Sequence, residues 1–303
     1  MATQIKTIKQ KIGSVQNIRK ITKTMEMVSV AKMRKAINRA VASRDYAKYA
    51  LEILMTLINE RNISHPLMES RVGDTTLLVI IASNKGLCGS YNMNVSKTVA
   101  KYMKENPTMK FDCIVIGKQA EKIARRFGLN ILDRYHEFKD DFGLEQIKML
   151  RRQIVALFSE KNHYHNVVVA YTEFVKQMVS RAGVKEILPV TTKISEKIVQ
   201  ENDTGVDTFT PNKRGMAEYI FEPSEQRVLD KLIPNFISTL LFQVLLEANA
   251  SEHSSRMFAM KNATDNATGI LEDLVLTYNR ARQANITQEV AEIIAGAEAL
   301  QTQ

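Results

Sequence analysis

The chain has 303 residues, 45% of them hydrophobic and 25% charged, with a formal net charge of +9 and two cysteines. That composition can build a sizeable core and excludes a disordered chain, and no uninterrupted apolar stretch approaches the ~18–20 residues that span a bilayer. Cys88 and Cys113 stand apart, with no CxxC and no clustered histidines, so neither a disulfide framework nor a zinc site is indicated and a reducing compartment fits best.

The positive charge is concentrated at one end. Residues 1–44 carry eleven Lys or Arg against one acid, Glu26, leaving 31 basic and 32 acidic residues for the remainder. From Ala2 to Arg61 there is no proline, and Gly13 is the only glycine. Apolar residues recur at Ile5, Ile8, Ile12 and Val15, then at Ile18, Ile21, Met25 and Val28, the spacing of a helix that packs on another helix. The step from Val15 to Ile18 breaks the heptad, which predicts a local change of supercoil. A helix of about 57 residues would be roughly 85 Å long, too long for a compact domain to surround, and so needs a partner helix.

His65-Pro66 and Gly73-Asp74 end that pattern. "TTLLVIIAS" (75–83), "FDCIVIG" (111–117) and "NVVVAYTEF" (166–174) read as buried strands, with helices between them near 93–105, 118–127 and 143–161. Apolar strands alternating with helices predict a mostly parallel sheet covered on both faces. Weaker strands are expected at Ile131 to Tyr135 and Glu186 to Thr192. Residues 200–215, with Gly205, Pro211 and Gly215, read as a loop leaving that domain.

Helical character resumes near Glu225, and after Pro234 no further proline occurs, so Asn235 to Leu300 reads as a single helix. Its middle is rich in small residues, Ala248, Ala250, Ser251, Ser254, Ser255, Ala259 and Ala263, which let two helices approach closely. Its end runs Ile286, Val290, Ile293, Ala297, Leu300 in heptad steps. The fold class expected is α/β plus coiled coil: long antiparallel N- and C-terminal helices, 1–62 and 210–303, with a mostly parallel α/β domain at 75–195 inserted between them.

The loop "NKGLCGSYN" (84–92) follows a strand, where phosphate loops sit, but it lacks G-x-x-x-x-G-K-[ST] and G-x-G-x-x-G. A tight strand-to-helix turn is the plainer reading. Cys88 has no recognisable histidine and acid set, and His163-x-His165 is at most half a metal site. The basic helix could bind nucleic acid, but aromatic residues for base stacking are lacking before Tyr46. Docking to an acidic protein surface is favoured, with a basic nucleic-acid-binding or scaffolding coiled coil as the alternative. At the other end, the apolar tail calls for something that receives it.

"SVQNIRKITKTMEMVSVAKMRKA" (14–36), "NKGLCGSYN" (84–92), "SSRMFAMKNATDNA" and "YNRARQANITQEVAEIIAGAEAL" together resemble the gamma subunit of F-type ATP synthases, the central rotor shaft. The resemblance implies a non-catalytic subunit without cofactor or metal. It implies one copy per complex inside a ring of three alpha and three beta subunits, joined by the epsilon subunit and the c-ring, and no nucleic-acid partner. It also implies that ion-driven rotation cycles the beta subunits through their nucleotide affinities. Arg282 and Gln283 match residues that hydrogen-bond an acidic beta-subunit loop, with Thr287 one turn beyond. Met25 matches a position facing a beta subunit, and Lys23, Lys32, Arg34 and Lys35 would face the ring's lower opening. Ile293, Ile294, Ala297 and Leu300 match the tip held in an apolar bearing. Arg256, Glu222 and Tyr219 match the foot, near epsilon and the c-ring. Many relatives have an acid in place of Asn84. No presequence is visible, so the expectation is a bacterial-type chain, peripheral on the cytoplasmic side of the cell's inner (plasma) membrane.

Overall fold

The computed structural model describes residues 2–61, 65–136, 138, 142–160, 164–176, 179–190, 222 and 224–301. The loop expected at 200–215 lies outside the described residues. Two compact units form, one from Met1–Val30 with Arg256–Gln303, the other from Ala31–Ser255. The elements in chain order are α1 (Ala2–Arg61), β1 (Thr75–Ile81), α2 (Tyr91–Glu105), β2 (Lys110–Ile116), α3 (Lys118–Arg126), β3 (Asn130–Tyr135), α4 (Leu144–Glu160), β4 (Tyr164–Lys176), β5 (Val179–Leu188) and α5 (Glu225–Gln301).

In the larger unit the five strands lie in the order β3-β2-β1-β4-β5. β1 pairs parallel with β2 and β4, and β2 parallel with β3. Every residue of β1 is buried because it is central and covered on both faces. The period of two sorts its side chains: Leu77, Val79 and Ile81 join a core with Ile147, Leu150 and Ile154 of α4 and Leu229 to Ala248 of α5. Leu78 and Ile80 join a second core with Val95 and Val99 of α2 and Ala120, Ile123 and Ala124 of α3.

β5 departs from expectation. It begins at Val179, not Glu186, and runs antiparallel to β4. Ser180, Arg181, Ala182 and Gly183 carry no strand-like apolar pattern, and their extended form comes from ladder bonding to β4, which sequence patterning does not register.

α5 starts at Glu225, where helical character is expected to resume, and runs unbroken through Pro234 instead of forming one helix only from Asn235. A mid-helix proline costs about 3 kcal/mol in isolation. Here Leu229, Ile233, Phe236 and Ile237, all buried, hold the helix on the sheet on both sides of it. This part of α5 is long and apolar enough to cross a membrane by composition, but half of the apolar stretch is buried within the protein, as in a core helix.

In the smaller unit the helix seam differs from the one read off the sequence. Ile5, Ile8, Ile12 and Val15 are half-buried, and the series continues in the same register, past exposed Arg19, to Thr22 and Ser29, which are buried. Ile18, Ile21 and Val28 lie outside it, 52%, 59% and 48% exposed. The α5 side is an unbroken heptad of Met257, Met260, Thr264, Ala267, Leu271 and Leu274, each buried or half-buried. Small residues at both seams allow close approach, and Thr264 Oγ1 donates to Thr22 Oγ1 at 2.8 Å. The packed helices therefore overrode local apolarity. Accordingly, Leu271→Ala should cost about 2–4 kcal/mol of stability, whereas Ile21→Ala should stay within about 0.5 kcal/mol. Urea unfolding of both variants checks this, and equal losses would restore the broken seam.

The exit from α1 is held by a histidine. His65 Nδ1 accepts from the Leu67 N–H at 3.1 Å, and its Nε2 lies 3.6 Å from Asp230 Oδ1. Burial lowers its pKa below the ordinary 6.5 despite the opposing pull of Asp230 and Glu69. Desolvation wins because Asp230 is 54% exposed and screened. A depressed histidine pKa means that His65 contributes fully above pH 6.5 and that its contribution is lost as pH falls through the lowered folded value. His65→Asn keeps an acceptor for the Leu67 N–H without titrating, so it should flatten the fall of melting temperature between pH 7 and pH 5. An unchanged slope would remove His65 as the cause.

Candidate functional site

The chain from β1 to α2 leaves the carboxyl end of β1, a strand that borders the switch point between β1 and β4 where doubly wound sheets bind ligands. Here the loop is closed on itself. The Ser83 N–H and hydroxyl donate to Asn92 Oδ1 at 3.1 and 3.0 Å. Asn92 Nδ2 in turn lies 2.8 Å from Ser83 Oγ and 3.2 Å from the Cys88 Sγ. The first N–H of α3, from Lys118, donates to Asn84 Oδ1 at 3.1 Å, and Asn84 Nδ2 donates to the Phe138 carbonyl. The Gln119 N–H goes to Ser83 O. The N–H groups of Ser83 at the start of the loop and of Lys118 and Gln119 at the start of α3 are thus engaged by the protein's own side chains and carbonyls, not left to receive an anion. Asn84 serves as both donor and acceptor, which a carboxylate in its place could not do.

Cys88 is buried beside Ser83 and Asn92. His165 Nδ1 lies 2.7 Å from the Arg71 carbonyl oxygen, while His163 lies outside the described residues. Among the described residues no group of three or more metal-ligating side chains occurs.

The expected partner-facing residues fall on helix surfaces. In the smaller unit, Met25 is half-buried, and its carbonyl accepts from Ser29 Oγ at 2.7 Å. Lys23 is ion-paired with Glu26 at 3.2 Å, one turn along α1. On α5, Arg282, Gln283 and Thr287 are all exposed, and Thr287 Oγ1 donates to the Gln283 carbonyl at 3.0 Å. Ile293 and Ile294 are 71% and 59% exposed, and Ala297 is exposed, while the side chain of Leu300 lies outside the described residues. Arg256 is buried in this unit, 7% exposed, unlike the other charged candidates. In the larger unit, Lys32, Arg34, Lys35 and Glu222 are exposed; Tyr219 lies outside the described residues.

The structure adds a surface that the sequence reading assigned to the interior. Ile18, Ile21 and Val28 give α1 an outward apolar stripe. The signal was present as two competing heptad series on one helix, but periodicity alone does not say which series faces the partner helix.

These observations define a two-helix protein with an inserted doubly wound α/β domain, most of whose described candidate residues lie on exposed helix faces, with Arg256 buried. The chain matches the family model for ATP synthase over residues 4–300. It belongs to that family as a gamma subunit, the non-catalytic central-stalk subunit of a membrane-associated ATP synthase complex, itself peripheral to the membrane.

Solved structures with a similar fold include the rotor of the Euglena gracilis mitochondrial ATP synthase in rotational state 1, at 19% identity and TM-score 0.63, with 94% of this chain and 100% of that one covered. A chain of the OSCP/F1/c-ring assembly of the same organism in rotational state 3 matches at 18% identity and TM-score 0.63, covering 99% and 95%. One from the central stalk and c-ring of the Tetrahymena thermophila mitochondrial ATP synthase matches at 21% identity and TM-score 0.56, covering 80% and 99%.

Proposed function

We propose that the chain turns, in one copy, inside a ring of three alpha and three beta subunits, while its α/β domain stands with the epsilon subunit on the c-ring. The complex is placed in the inner (plasma) membrane of a bacterial cell, with this subunit on the cytoplasmic side. Each rotor angle stabilises a different beta-subunit conformation, so rotation becomes a cycle of affinities for ADP, phosphate and ATP.

The observation that carries this reading is the exposed apolar end of α5: Ile286, Val290, Ile293 and Ile294 are 50%, 49%, 71% and 59% exposed on a helix end. Such a surface needs a sleeve that excludes water, and an apolar sleeve resists rotation little because its contacts have no preferred direction. Ile293, Ile294, Ala297 and Leu300 are assigned to that bearing. Arg282, Gln283 and Thr287 are assigned to an acidic beta-subunit loop, Met25 and Lys23 to a moving beta-subunit segment. Arg256, Glu222 and Tyr219 are assigned to the region of epsilon and the c-ring. The excess positive charge of residues 1–44 fits an acidic ring opening.

The test is to add the purified chain to an alpha/beta ring from the same source and to follow ATP hydrolysis and stoichiometry. Assembly at one chain per ring with sustained hydrolysis is expected. A competent ring that neither takes up the chain nor changes its hydrolysis would end the rotor assignment.

A further inference from the structure

The contacts that seat α5 on the sheet are mostly apolar, from Leu229, Ile233, Phe236, Leu240 and Val244. Such contacts favour burial but set no rotation angle of a helix about its own axis. Directional bonds do, and two of them meet at consecutive residues of α5. Tyr91, the first residue of α2, donates its hydroxyl to the Ala248 carbonyl at 3.3 Å. Tyr171, on β4, donates to Glu247 Oε2 at 3.1 Å. Both tyrosines are almost fully buried, at 2% and 4% exposure. One turn earlier, Gln243 Nε2 donates to the other carboxylate oxygen of Glu247 at 3.1 Å.

The choice of residue at 247 is informative. Burial pushes the Glu247 carboxyl above the ordinary carboxylate range, with Lys185 of β5 pulling it down and Glu173 of β4 pushing it up. A well-packed apolar residue would serve stability at least as well as a buried charge. What a carboxylate with two donors adds is a fixed orientation. The grip also falls just before Ser255, where this compact unit ends, while α5 itself continues to Gln301.

We propose that Tyr91–Ala248 and Tyr171–Glu247 form a torque-bearing clamp: the α/β domain holds α5 at a set angle, so that a turn imposed on the domain is passed to the helix without slack. Tyr91, Tyr171 and Glu247 are then positioning residues of the rotor. The clamp occupies the sheet edge at which other doubly wound domains hold a ligand. This inference rests on the rotor reading above.

The experiment uses the assembled complex, with the alpha/beta ring fixed to a surface and its sites locked by a non-hydrolysable nucleotide. It records the angular fluctuation of a probe attached to the α/β domain. Tyr91→Phe/Tyr171→Phe removes two hydroxyls while keeping the rings, so assembly and ATP hydrolysis should stay near wild type. Its angular variance should rise about twofold, as expected when directional bonds are lost and packing remains. Glu247→Leu, which leaves the Tyr91–Ala248 bond in place, should behave like Tyr171→Phe alone, with a smaller rise than the double variant. Glu247→Gln, which keeps a carbonyl acceptor for Tyr171, should stay near wild type. A purely structural role would lower the melting temperature without this pattern.

Wild-type variance in assembled Tyr91→Phe/Tyr171→Phe complexes, or in the single variants if the double one does not assemble, would overturn the clamp. Rotation of the wild-type chain in the same preparation, driven by ATP before locking, tests the rotor reading separately.

Discussion

Gly117→Ala is expected to lower the unfolding free energy by about 3–5 kcal/mol, combining left-handed backbone strain with overpacking. Gly117 links β2 to α3 with φ +94°, and a Cβ placed there would lie 2.0 Å from the Ala82 carbonyl oxygen. That oxygen is backbone, so no side-chain rotation relieves the clash. The neighbouring bonds are the ones that close the loop after β1: Ala82 N–H to Ile116 O, Gly117 N–H to Tyr135 O and Gln119 N–H to Ser83 O. Gly128→Ala is the control, because Gly128 also has positive φ, +66°, but open space around it. Its cost should be only the left-handed penalty of about 1–2 kcal/mol. Urea unfolding of the two variants measures the difference, and equal costs would show that close approach is not what selects glycine at 117.

Arg282→Ala/Gln283→Ala should have the opposite profile: little effect on the free chain and a large one on the complex. Both residues are exposed, and surface substitutions of this kind usually change stability by less than about 0.5 kcal/mol. In the ring they are assigned to charge-assisted hydrogen bonds with an acidic loop, where truncating one partner costs about 2–5 kcal/mol. Sustained ATP hydrolysis by the reconstituted complex should therefore fall by about tenfold or more, since each 1.4 kcal/mol is a factor of ten. Wild-type hydrolysis in the double variant would remove these residues from the beta-subunit contact. A fall in the melting temperature of the isolated chain would instead mark them as structural.

The candidate surfaces were legible to different degrees. The apolar end of α5 could be read directly, because the heptad of Ile286, Val290 and Ile293, exposed among the described residues, is a local pattern. The stripe of Ile18, Ile21 and Val28 could not. It has the same spacing as a buried seam, and only the pairing of Thr22 with Thr264 shows which side of α1 faces α5. Arg256 differs again: its burial depends on residues packed around it, and a charged residue in a sequence carries no mark of being buried.

The loop after β1 is intermediate. Its lack of a phosphate fingerprint was visible in the glycine spacing, but the bonds that tie it down are made by Asn84 and Asn92, whose partners come from α3, Phe138 and the loop itself.

By itself the sequence determined the two long helices, the apolar strands β1, β2 and β4 and the placement of charge at the N-terminus, because helical and strand periodicity and the absence of proline act within one segment. The tertiary structure alone decided the strand order, the antiparallel hairpin of β4 with β5, the passage of α5 through Pro234, the side of α1 that is buried and the two tyrosine hydroxyls on Glu247 and Ala248. Each of these depends on contacts between residues far apart in the chain, where packing and hydrogen-bond satisfaction outweigh local preference.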